Sequence, residues 1–250
     1  MIMKTPPIEW IPACASTNDQ AALADGDIVV ATELQTAGRG QRGNSWEAEP
    51  GQNLTFSIRL GLDLTPDRLF DFSIAVALGV ADTIARELAD AGVSDPVTVK
   101  WPNDVYVGTN KIAGILIENR LSGAHLDYVV AGVGVNVNQL TFLSDAPNPV
   151  SLAQLTDREY DLRALLQLMV ADIIRRVEAC RPLADAVEAR KEYFRRLYLA
   201  DGREHTFYLA DGTPLKASIV AVEPSGHITL SNGQSYAFKE IAYHILGRRI

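Results

Sequence analysis

Hydrophobic and polar positions change period several times along the chain, and each change marks an element. Asp27 to Glu33 (DIVVATE) is a β-branched run bounded by Gly26, and Asn53 to Leu60 (NLTFSIRL) alternates apolar with polar; both predict strands. Gln35 to Gly51 between them is rich in Gly and Arg, lacks a helical period and predicts a loop. Leu69, Phe70, Ile74, Val76, Ala77, Val80, Ile84 and Leu88 then share one helix, opened by Thr65-Pro66 and stopped at Gly92. Further strands are predicted at Val97 to Lys100, Ile112 to Glu118 and Leu126 to Asn138. Helices follow at Leu162 to Val177, with Asp161 as its cap, and at Leu183 to Tyr198. From Gly202 the texture shifts to short alternating runs: Glu204 to Leu209, Leu215 to Val222, His227 to Leu230 and Ser235 to Lys239. Asp211-Gly212, Pro224-Ser225-Gly226 and Asn232-Gly233 supply the turns between them. The pattern predicts a mixed α/β body over 1–199 and a small all-β module over 200–250.

Composition narrows this picture. A chain of 250 residues, 47% hydrophobic and 22% charged, can bury a substantial core and is not disordered. With 23 Lys+Arg against 31 Asp+Glu the net charge is −8, which argues against general nucleic-acid binding but leaves room for a local basic site. Cys14 and Cys180 cannot build a disulfide framework and read as free thiols of a reducing compartment. No run approaches the roughly 18 apolar residues of a membrane span, and no signal peptide opens the chain. A cytoplasmic protein without membrane association is expected.

Candidate chemistry sits in a few short segments. Gly38-Arg39-Gly40-Gln41-Arg42-Gly43 fits G-x-G-x-x-G, yet the dinucleotide fingerprint needs a helix directly after it, and Asn44-Ser45-Trp46 leads through Pro50-Gly51 into another strand. What is left is a loop whose glycines let backbone N–H groups converge on a carboxylate or phosphate, with arginines adding charge; the plainer alternative is a solvated hairpin tip. Lys100-Trp101-Pro102-Asn103-Asp104 ends a strand with a lysine and an aspartate close enough to position a phosphate and a metal-bound water, or is a turn around a packed Trp. Lys111 stands at the mouth of an apolar strand in which Ala113 and Gly114 leave room for a ligand; otherwise it is a solvated strand end. In Gly132 to Asn138 (GVGVNVN) the glycines admit a flat ring whose edge Asn136 could read, Asn136 could instead ligate a metal, or the glycines serve a close strand crossing. Ser16-Thr17-Asn18 opens a short helix. There is no phosphate-loop lysine motif, no H-E-x-x-H and no G-x-S-x-G, and His125, His205, His227 and His244 are scattered, which argues against a histidine triad or zinc site.

In order and spacing, Ser16-Thr17-Asn18, Gln35 through Gly38-Arg39-Gly40 to Trp46, Lys100 to Asp104, Lys111 to Glu118 and Gly132 to Asn138 together resemble the biotin protein ligases, the biotin–[acetyl-CoA-carboxylase] ligases of bacterial type. The resemblance covers residues 10 to 140 by motif and the terminal β module by pattern. It implies an α+β fold, a mixed β-sheet with flanking helices as in class II aminoacyl-tRNA synthetases, followed by a small C-terminal SH3-like β-barrel. It also implies an ATP-dependent ligase that makes biotinyl-5′-AMP and pyrophosphate, then transfers biotin to a lysine of a biotin carboxyl carrier protein. Biotin and ATP would be substrates, with Mg²⁺ carried by the ATP phosphates rather than by protein ligands.

By position, the resemblance gives Lys111 and Arg39 catalytic roles. It places Ser16, Thr17, Asn18, Gln35, Arg39, Gly40, Gln41, Lys111 and Gly114 around biotin, and Arg39, Arg42, Lys100, Asn103, Asp104, Lys111 and Asn136 around ATP or the adenylate. Trp46 is expected to pack under the loop. Gln41 and Asn44 stand where the family commonly has arginines, and Lys239-Glu240-Ile241 replaces a more usual Gly-Glu-Val. Only fifteen residues precede Ser16, too few for the helix-turn-helix domain of some members, so a monofunctional ligase without DNA binding is expected, as monomer or homodimer. The rival readings are a lipoate ligase or lipoyl transferase of the same fold and a non-catalytic biotin-binding module.

Overall fold

The computed structural model describes residues 3–40, 46–62, 64–122, 125–143, 148–181, 183–245 and 248–249. Among them a seven-stranded sheet runs in the order β1-β2-β3-β7-β6-β5-β4. Strand β1 (Ile8–Cys14) lies parallel to β2 (Ile28–Gln35). Every other neighbour is antiparallel: β3 (Leu54–Leu60), β7 (His125–Val135), β6 (Asn110–Ser122), β5 (Asp104–Val107) and β4 (Val97–Lys100). The fold is thus α+β with a mixed sheet and flanking helices.

Strand alternation sorts the two faces. Val29 and Ala31 of β2 join the large core, whereas Val30 turns to the opposite face and packs with Ala21 and Val130 beneath α1 (Thr17–Ala22). On the core face lie α2 (Leu69–Asp90) and α4 (Leu162–Ala179), with α5 (Leu183–Arg195) beside them. A single 3₁₀ turn, Pro66–Arg68, leads into α2, and the Arg68 guanidinium donates to the Cys180 and Arg181 carbonyls at the end of α4 at 2.9 and 3.2 Å. The short helix α3 (Leu152–Thr156) opens on a capping box formed by Ser151 and Gln154.

The C-terminal alternation resolves into two small antiparallel sheets. One is ordered β14-β13-β8-β9, from β8 (His205–Leu209), β9 (Pro214–Ala217), β13 (Ile241–Ile245) and β14 (Arg248–Arg249). The other joins β10 (Ile219–Val222), β11 (Ile228–Leu230) and β12 (Ser235–Tyr236). Phe207, Ala217, Ile228, Leu230 and Tyr243 from both sheets join the same buried apolar cluster as α2 and the large sheet.

Several boundaries differ from expectation. The run Leu215 to Val222 is two strands in two sheets, parting at Ser218, whose N–H is bonded to the Ser231 hydroxyl at 3.0 Å. Strand β7 stops at Val135, because Val137 and Asn138 give their N–H groups to Asn53 Oδ1 and the Gln52 carbonyl instead of to a strand partner. Strands β1, β5 and β13 and helix α3 had no clear period to announce them. No described helix is long and apolar enough to cross a membrane.

Candidate active site

The site is built where α1 meets the sheet. Ser16 caps α1 in extended conformation without a side-chain capping bond, so its hydroxyl is not engaged by the helix. Ser16, Thr17 and Asn18 are all buried. The Thr17 N–H donates to Gln35 Oε1 at 2.8 Å, tying the helix start to the end of β2. Ser57 on β3 is fully buried, with Oγ 2.7 Å from Thr17 Oγ1 and 2.6 Å from Asn18 Oδ1. Asn18 Nδ2 donates to Glu118 Oε2 on β6 at 2.7 Å. A side chain at Gly132, which pairs with Ser57 across β3 and β7, would overlap the Asn18 amide, so the glycine is what lets that amide lie on the sheet.

The opposite part of the cavity is cationic. The hairpin turn between β4 and β5 brings Asp104 between two lysines, with Oδ1 2.7 Å from Lys111 Nζ and Oδ2 3.8 Å from Lys100 Nζ. One carboxylate against two ammonium groups leaves a net positive charge. Lys100 is buried, and its Nζ sits 4.9 Å from the Tyr243 ring centre and 5.8 Å from that of Tyr106, π faces that stabilise the cation away from bulk water. The turn itself is held by Asn103, whose amide donates to the Ile115 carbonyl and whose carbonyl accepts from the Ile115 N–H at 2.9 Å. The Trp101-Pro102 peptide within it is cis. Asn136 is buried and donates its Nδ2 to the Val150 carbonyl at 3.1 Å, fastening the segment before α3 to the end of the sheet.

Between these ends lie Arg39 and Trp46. The Arg39 guanidinium is bidentate to Asp19, at 2.7 and 2.8 Å, and 3.4 Å from Glu118. The hydrogen bond from Arg39 holds the Asp19 carboxyl below its ordinary range despite partial burial, and Asp19 in turn raises the guanidinium further. Trp46 fills the space above the strand glycines: a side chain at Gly134 would overlap its indole, and one at Gly114 would lie 3.2 Å from it. Its Nε1 is buried with no hydrogen-bond partner among the described residues.

One cavity of about 710 Å³ joins these groups. Ser16, Thr17, Asn18, Gln35, Arg39, Gly40, Lys100, Asn103, Asp104, Lys111, Gly114 and Asn136 all line it, so the described residues that the resemblance set around biotin and ATP converge on one place. Gln41, Arg42 and Asn44 lie outside the described residues. The flat ring over β7 is Trp46 of the chain itself, seated on Gly134 while Gly132 admits the Asn18 amide, and Trp46 lines the cavity as well as covering the sheet. Sequence reading missed Asp19, Ser57 and Glu118, the partners that hold the expected residues in place. It also missed the wall contributed by Phe238, Ile241 and Tyr243 from beyond residue 200. Ser57 stood inside a run read only as a strand, Glu118 closed the Lys111 to Glu118 segment without a role of its own, and no local signal marks Tyr243.

The model of the biotin/lipoate A/B protein ligase family matches residues 12–136, half of the chain. Among curated relatives, the bifunctional ligase/repressor BirA of Salmonella typhimurium is 36% identical over 132 residues, 51% of this chain and 39% of that protein. The biotin–[acetyl-CoA-carboxylase] ligase of Mycobacterium tuberculosis is 35% identical over 176 residues, 68% of this chain and 63% of that one. The matched part thus spans about two fifths of the bifunctional relative's length. The structure of biotin protein ligase from Aquifex aeolicus in complex with biotin and ATP superposes with a TM-score of 0.76 at 21% identity, over 98% of this chain and 99% of that one, and shares the fold. The matched segment begins just before Ser16 and ends on Asn136, so it contains each of the site's motifs, and the chain belongs to the biotin/lipoate A/B protein ligase family.

Proposed function

We propose that this chain is a biotin protein ligase, which joins biotin to ATP and passes the biotinyl group to a lysine of a biotin carboxyl carrier domain. The observation that carries the reading is the division of one cavity into a neutral hydrogen-bonding end at Ser16, Thr17 and Gln35 and a cationic end at Lys100 and Lys111. Biotin has the same polarity: an uncharged ureido ring at one end and a carboxylate at the other. In the first step that carboxylate attacks the α-phosphate of ATP, forming a new C–O–P linkage as pyrophosphate leaves. Both reactants are anions, so their approach needs fixed cations; Lys111 is the more exposed of the two lysines, and Asp104 holds its Nζ in place. Mg²⁺ brought in with ATP would neutralise phosphate charge that the two lysines alone do not match. In the second step a lysine amine of the carrier attacks the mixed anhydride, AMP departs and the amide remains.

Biotin-dependent exchange of labelled pyrophosphate into ATP tests this, with lipoate as the control. Exchange with biotin alone is the expected result, and Lys111→Ala should lower its rate by about a hundredfold while biotin still binds. Exchange with lipoate alone would move the substrate to the other branch of the family. Silence with both, in folded protein supplied with Mg²⁺, would leave a binding module.

A further inference from the structure

The side chains behind Thr17 form a chain whose proton directions are fixed from both ends. At one end the Thr17 backbone N–H can only donate, so Gln35, 2.8 Å away, must turn its amide oxygen toward it. At the other, the Glu118 carboxylate accepts from Asn18 at 2.7 Å, so Asn18 offers its nitrogen there and its oxygen to Ser57. Ser57 Oγ, 2.6 Å from that oxygen, must give it its single proton. The same Oγ lies 2.7 Å from Thr17 Oγ1, placed so that Ser57 could be the donor there too; since its one proton goes to Asn18 Oδ1, which can only accept, that bond closes with Thr17 as donor. The competing acceptor, Gln35 Oε1, is farther from the Thr17 hydroxyl at 3.2 Å. What Thr17 keeps for the cavity is lone pairs.

We propose that Ser57 is a positioning residue that, together with Asn18 and Glu118, fixes the Thr17 hydroxyl as an acceptor, so that a ligand must present an N–H at that point. Ser57 is fully buried on β3 and acts through Thr17. Gly132 belongs to the same device, since only a glycine opposite Ser57 leaves the Asn18 amide its place. On the proposed function, on which the identity of the ligand rests, the N–H belongs to the ureido ring of biotin. The device rejects a ring of the same shape that carries an oxygen there, because two sets of lone pairs would then face each other.

The test compares biotin with its two cyclic carbamates, each with one ring N–H replaced by oxygen, by calorimetric binding to wild type and to Ser57→Ala. Wild type should bind one carbamate about a hundredfold more weakly than biotin. In Ser57→Ala the Thr17 proton is released and can turn to the ring oxygen, so that gap should shrink below about tenfold. Biotin itself should weaken about tenfold, with the KM for ATP unchanged. An unchanged gap, or equal weakening of biotin and both carbamates, overturns the proposal, since loss of packing alone would act on all three alike. Should Ser57→Ala not fold, Glu118→Ala, at a half-exposed side chain, releases the chain from its other end and should shrink the same gap. A second arm needs no ligand: the Asn18 side-chain N–H signals should be protected from solvent exchange in wild type and lose protection in Ser57→Ala. Unprotected signals in wild type overturn the proposal. Protection that depends on Ser57, in a protein that fails to bind biotin, supports the proton chain and overturns only the substrate.

Discussion

Arg39 has its charge engaged before any substrate arrives. Two of its nitrogens are held by Asp19 and one also approaches Glu118, so the three side chains together carry a net charge of −1 at the rim of a cavity proposed to receive two anions. For Arg39 to meet a carboxylate or phosphate it has to leave Asp19, and the pair therefore competes with the ligand. The Asp19 carboxyl is held below its ordinary range by the Arg39 hydrogen bond, so the competition persists throughout the neutral pH range. Asp19→Asn should raise apparent biotin affinity about threefold at low ionic strength, and the gain should fade as salt screens the exposed pair in wild type. Titrations at two salt concentrations check this, and weaker binding by the variant at low salt would show that Asp19 steadies Arg39 for its task. At this scale the sequence displayed the charged and amide groups facing the cavity, because such residues stand out in short glycine-bearing segments. Their partners did not stand out. Asp19 and Arg39 lie twenty residues apart, and only the pairing of β1 with β2 and the seat of α1 on the sheet bring them together.

Secondary elements were legible where a period ran long enough. The apolar positions from Leu69 to Leu88 mark α2 because nearly every turn of it is buried, and β-branched alternation marks β2 and β3. The four residues of β5 follow a Pro-containing turn, and β1 carries Pro12 inside it, so neither has room to show a pattern. What joins the helices to each other was not legible at all. Asp82 of α2 accepts from Arg176 at 2.7 and 3.0 Å, from Arg196 at 2.7 Å and from Arg175 at 3.0 Å, and Arg176 is in turn paired with Glu192 of α5. Burial alone would raise the Asp82 carboxyl, but the hydrogen bonds from Arg176, Arg196 and Arg175 outweigh it and hold the group below its ordinary range. A depressed folded-state pKa contributes stability that is complete above the unfolded value, about 3.9, and is lost as pH falls through the folded one. The urea midpoint should therefore decline below about pH 4. Asp82→Asn should reduce that acid dependence and, by weakening charged hydrogen bonds, cost roughly 2 kcal/mol at neutral pH. Urea titrations across the acid range measure both, and a variant with the wild-type midpoint at pH 7 would show that the arginines find equivalent partners without Asp82.

Across the whole molecule, the change of texture near residue 200 correctly announced small strands and suggested a small all-β domain over 200–250. The contacts at that boundary argue for one cooperative unit. Trp101 Nε1 donates to the Gly226 carbonyl at 2.8 Å, across 125 positions of sequence, and the Trp101 ring meets Phe238 edge-on at 5.8 Å. Leu197, just before the boundary, is buried in the core that Val99 and Tyr243 share. Tyr106 and Tyr243 face Lys100 and Tyr198 packs against both rings, and burial pushes the Tyr243 hydroxyl well above its ordinary pKa, so it stays neutral beside the lysine. No local pattern could reveal this, since each side of the boundary satisfies its own alternation and the shared surface is made of isolated aromatics. A module that buries its aromatic face against the turn carrying Lys100 cannot unfold without uncovering that turn, so the two parts should melt together. Calorimetry should give one transition, with equal calorimetric and van't Hoff enthalpies. Tyr243→Ala should lower the midpoint of that single transition by removing roughly 3 kcal/mol of buried ring, and should raise the KM for ATP by loosening Lys100. Two resolved transitions, with only the weaker one shifted by Tyr243→Ala, would instead make the module a separate domain and confine the site's stability to the large sheet.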